Sequence, residues 1–195
     1  MRNLCGEVVA IALLLGAAGP ASAQRGTNGG FERMKTLVGE WQGRMDGGPA
    51  VRSTFKLVSE GSALVEMLNP AAESAKSIYR SDSERVTPTH YLVVMQRPSG
   101  QMEMVSVYHA DGDRVAMTHY CSANNQPRMS TAPVSGTPAE LEFNLTGITN
   151  LASPGAPHIT RLVIVFEDQD HILEKWTEKE GAKEHTETSR LTRTK

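Results

Sequence analysis

The sequence is poor in cysteine, balanced in charge and nearly without helical periodicity. It holds two cysteines, Cys5 and Cys121. One of them falls in a removable leader, described below, so an internal disulfide framework is excluded. Lysine and arginine number 20 against 22 aspartates and glutamates, a net charge of −2. No basic stripe exists for nucleic acid or an anionic membrane surface. No Ser-His-Asp set, phosphate-binding loop or paired-carboxylate signature is legible. The one long apolar run, Val8 to Ala18, falls short of the roughly 20 residues that span a bilayer.

That run has another meaning. Arg2 precedes it and Ala21-Ser22-Ala23 follows it as a small-residue cleavage site, the pattern of an export signal. Cleavage after Ala23 is expected, with 1–23 as signal peptide and a periplasmic or extracellular product. Arg2 and Glu7 leave together, so the net charge is unchanged. Cys121 is then the lone thiol of the exported chain. Burial as a small hydrophobe is its ordinary fate; reactivity or metal ligation is the other.

What is present is a succession of short alternating segments separated by turn residues. Residues 24–30 form a Gly-rich polar lead-in, read as disordered. Phe31, Met34, Leu37 and Val38 recur at helical spacing, and Gly39-Glu40-Trp41 opens the first strand. Strands are expected at Val51 to Ser59, Ala63 to Leu68, His90 to Gln96, Met102 to Ala110, Asp113 to Cys121, Leu141 to Leu145, Ile159 to Phe166, His171 to Thr177 and Lys183 to Arg193. Ser122 to Pro138 and Asn150 to Pro157 read as loops. About ten short strands with hairpin turns and one short helix indicate an all-β, up-and-down barrel over residues 31–195.

The centre of the pattern is Met102 to Met129. Asp111-Gly112 between alternating segments predicts a type I′ hairpin turn. Side chains alternate between faces along each strand. One face then carries Met102, Met104, Ser106, Tyr108, Val115, Met117, His119 and Cys121, without formal charge. The other carries Glu103 and Arg114 among its residues. The uncharged face is expected to look into the barrel, with Asn124, Asn125, Gln126 and Arg128 at its rim.

Several stretches together resemble a family of exported bacterial proteins with a lipocalin-like barrel and no assigned activity. They are Leu37 to Gly43 (LVGEWQG), Thr118 to Cys121 with Asn125 to Met129 (THYC, NQPRM), Thr146 to Leu151 (TGITNL), and Asp170-His171 with Trp176. A short helix, then Gly39-Glu40-Trp41 opening the first strand, then a meander of hairpins also resembles the lipocalin and fatty-acid-binding-protein group, which implies a helix closing one barrel end with Trp41 beneath it. Two departures stand out. About 71–99 looks inserted relative to the family. Thr160 stands where the family tends to have a second histidine after the one matching His158.

The expected function is non-covalent binding of a small apolar or amphipathic ligand. Its lining is drawn from His119, Cys121, Met104, Met117, Tyr108, Asn125, Gln126, Arg128 and His158. The Asn/Gln/Arg loop could hydrogen-bond a polar head group or bond only to itself. No cofactor is expected outright. The alternative is a metal site, catalytic or not, on His119, Cys121 and His158, or a haem held by His119, His158 or His185. A third reading is a filled barrel that acts as a scaffold.

Overall fold

The computed structural model describes residues 28–48, 50–70 and 103–195. The expected export signal, the expected strand from His90 to Gln96 and the apparent insertion lie outside the described residues. The rest is one closed antiparallel barrel with a single short helix.

The helix is α1 (Gly29–Lys35), and the strands are β1 (Gly39–Met45), β2 (Ala50–Val58), β3 (Ala63–Pro70), β4 (Met104–Asp111), β5 (Arg114–Tyr120), β6 (Gln126–Ser130), β7 (Glu140–Thr149), β8 (His158–Phe166), β9 (His171–Glu180) and β10 (Lys183–Arg193). Each strand pairs with its sequence neighbour, and β1 pairs with β10 to close the ring. Closure satisfies the backbone groups that a sheet edge would leave open.

The hairpin parity predicted for β4 and β5 holds, although the turn does not. Its loop residues are Gly112 and Asp113, with Asp111 paired to Arg114. Only Gly112 takes a positive φ, +59°, so this is not a type I′ turn. Each residue's partner moves by two positions, which preserves the face of every side chain. Ser106, Tyr108, Val115, Met117 and His119 are all buried inside.

Two boundaries differ from the sequence reading. The helix begins at Gly29 because the Asn28 side chain accepts from the Phe31 N–H at 2.7 Å. The same side chain donates to the carbonyls of Gly112 and Arg114, so the cap also ties the helix to the β4–β5 turn. The expected loop from Ser122 contains β6. Pro127 lies within it and is buried on the inward face, and Arg128 points outward opposite Thr118.

One end of the barrel is plugged. Phe31 and Met34 of α1, with Leu37, pack onto Trp41, whose indole N–H donates to the Leu37 carbonyl at 2.8 Å. Arg193 lies over the Trp41 ring at 4.3 Å and donates to the carbonyls of Thr36 and Val38, holding the helix end. Leu64, Leu141, Leu162, Ile164, Ile172 and Leu191 fill the layers above it. Each such side chain contributes roughly 1.5–3 kcal/mol by leaving water. The opposite end carries the connections after β1, β3, β5, β7 and β9, and no helix is described over it.

Candidate functional site

The inward parity of β3 reads Leu64, Glu66, Leu68, and that of β9 reads Ile172, Glu174, Trp176, Glu178. Each places a carboxylate where its neighbours are apolar. Barrel closure then brings Glu66 and Glu174, both fully buried, into hydrogen-bonding reach of each other across the interior. This pair escaped the sequence reading, which found no paired carboxylates. The signal was local: a glutamate on the apolar parity of each strand.

The two carboxyls differ in their surroundings. Glu66 accepts from the Ser53 hydroxyl and the Tyr108 phenol, each at 2.7 Å. Glu174 accepts the Trp176 indole N–H on Oε2, at 3.3 Å, and its Oε1 has no donor among the described residues. Burial raises the pKa of both carboxyls. For Glu174 the charge of Glu66 adds to the effect, and it titrates well above the usual range. Two hydroxyl donors favour ionised Glu66, so Glu174 keeps the proton and donates it to its partner. Burial, then the nearby carboxylate charge, pushes the Tyr108 phenol up as well.

His119 joins the same network from β5. Its Nδ1 lies 3.0 Å from the Ser106 hydroxyl, directly opposite on β4. The phenol proton is committed to Glu66, while Ser106 and Nδ1 share a hydrogen bond whose donor follows the ring's tautomer. In either tautomer Nε2 is buried and without a partner among the described residues. Desolvation lowers the His119 pKa to about 4, so the ring is neutral at pH 7. Its ring stacks at a tilt on Trp176, the centroids 4.8 Å apart.

Above Trp176, among the described residues, a recess of about 340 Å³ is lined by Trp176, Glu178, Glu180, Lys183, Glu184, His185 and Glu187. Register places Glu178, Glu180, Lys183, His185 and Glu187 on the inward parity of β9 and β10. It is therefore the mouth of the barrel, with the indole as its floor.

The residues predicted as lining divide by parity. His119, Tyr108 and Met117 are buried inside, and Met104 is half-buried against the core. Cys121 stands half-buried at the end of β5, its Sγ accepting from the Ala123 N–H at 3.5 Å. The adjoining loop bonds mostly to itself and to its neighbour. Asn124 takes φ +63°, and Cys121 and Asn125 close the turn through backbone bonds. Asn125 is buried and donates to the Pro157 carbonyl at 2.8 Å. Gln126 accepts from Thr149 and Asn150. Arg128 lies on the outer wall, because a strand forms where a loop was expected. His158 also lies on outward parity, paired with Lys179, its Nδ1 2.7 Å from the Ala156 carbonyl.

His119 and His158 thus face opposite sides of the wall. Among the described residues no three His, Cys, Asp or Glu side chains converge to hold a metal ion. His185, the third residue considered for haem, is exposed at the mouth, 3.8 Å from Glu187. Among the described residues no helix is long and apolar enough to cross a membrane. No protein-family model matches the sequence, and no curated protein matches it.

Proposed function

We propose that this protein is an exported β-barrel that binds a small amphipathic molecule in its open half. The ligand enters at the mouth and rests its apolar body on Trp176. Its polar group meets the buried network of His119, Tyr108, Glu66 and Glu174. The observation that carries this reading is the orphaned Nε2 of His119, beside the ring that floors the mouth. A buried polar atom with no partner costs roughly 1–3 kcal/mol, and a ligand group that bonds it removes that cost. The mouth volume is within the range of small-ligand sites, which starts near 300 Å³.

The lower half is filled by side chains, so the ligand occupies the mouth rather than the whole barrel. Export follows from the leader pattern of Arg2, Val8 to Ala18 and Ala21 to Ala23. Titrating a fragment library against the ¹⁵N-labelled protein tests the binding. Shifts concentrated at His119, Trp176 and Glu187 are expected. Shifts confined to the outer wall would refute it. N-terminal sequencing of the exported protein should begin at Gln24.

A further inference from the structure

Among the described residues the network has no buried counter-ion. Glu66 and Glu174 share the interior with Ser53, Ser106, Tyr108, Trp176 and Ser189, and none of the buried residues described is a lysine or arginine. The groups that perturb the pair are hydroxyls, an indole and each other. A buried carboxylate without a cation is costly even when hydrogen-bonded. Two buried polar atoms of this network, His119 Nε2 and Glu174 Oε1, have no partner among the described residues. The recess at Trp176 is acidic: Glu178, Glu180, Glu184 and Glu187 line it against Lys183 and His185. An aromatic floor completes the set, since an indole face attracts cations.

We propose, building on the binding function above, that the ligand is a small organic cation: a protonated amine on an apolar or aromatic body. Its ammonium settles at Trp176. Its charge balances the Glu66–Glu174 pair beneath the indole. The acidic rim draws the cation in and repels carboxylates and phosphates.

The test holds the body constant and varies the charge. Benzylammonium, benzyl alcohol and benzoate, with the matching hexyl series, are titrated at pH 7 while tryptophan emission is followed; Trp176→Phe assigns the signal. The amines are expected to bind at least about tenfold tighter than the alcohols, and the carboxylates not to compete. Glu66→Gln with Glu174→Gln should abolish the amine preference. Because that variant perturbs the core, two further measurements stand beside it. Glu178→Gln with Glu187→Gln alters only exposed side chains and should weaken amine binding severalfold at low salt. In the unaltered protein, amine affinity should fall as pH drops and the pair takes up its second proton, while alcohol affinity stays flat. Equal or tighter binding of the alcohols or carboxylates overturns the cation assignment and leaves the binding function standing. If no series binds at millimolar concentration, both fall.

Discussion

His119 and Glu174 titrate in opposite senses, and each leaves its own mark on stability. The folded pKa of His119 is about 4 against an ordinary 6.5. The unfolded chain therefore binds the proton first as pH falls. The contribution of neutral His119 is complete above pH 6.5 and is lost between there and about 4, a loss of about 3 kcal/mol. Urea denaturation across that window should show His119→Gln losing less stability than the parent. Glu174 has a raised folded pKa, so its contribution is complete below about pH 4.5 and is lost as pH rises through the folded value. Glu174→Gln mimics the protonated form. Its urea midpoint should match the parent at pH 4 and exceed it at pH 8. An equal offset at both values would contradict the shared-proton account.

At the level of single elements, the α1 plug and the β1–β10 seam hold the barrel in shape. Asn28 makes both the helix cap and the tie to the β4–β5 turn. Asn28→Ala should cost about 1–2 kcal/mol, with red-shifted Trp41 emission as the helix loosens. Gly43 sits where β1 passes β10, and a Cβ there would collide with the Arg190 carbonyl. Gly43→Ala should cost about 1–3 kcal/mol through overpacking, and hydrogen exchange should show β1 and β10 amides losing protection together. β6 was the least legible element. Asn125, Gln126 and Pro127 are turn formers by composition, yet pairing with β5 and β7 makes 126–130 a strand. Tertiary pairing overrode local preference, and with it went the expectation that Arg128 anchors a ligand from a rim loop.

At the scale of the molecule, the filled lower half supports the open upper half. A ligand held only by the folded barrel should raise its stability by about 2.7 kcal/mol at a hundred times its Kd. Differential scanning calorimetry with benzylammonium should show a concentration-dependent rise in Tm. An unchanged Tm at saturating amine would mean that the mouth is not a site of the native state.

Alternation of apolar residues along β4 and β5 decided, from sequence alone, which of their side chains turn inward, because side-chain direction in a strand has a period of two. It placed Tyr108, Met117 and His119 inside, and the turn signals between segments foretold a meander of short hairpins. Alternation is blind to what lies opposite. Glu66 and Glu174 belong to strands far apart in sequence. His119 meets Trp176 across the interior in the same way. Those meetings depend on how many strands close the ring and how far each is staggered. Only the closed barrel decided them, turning isolated inward-facing polar residues into one network beneath an acidic mouth.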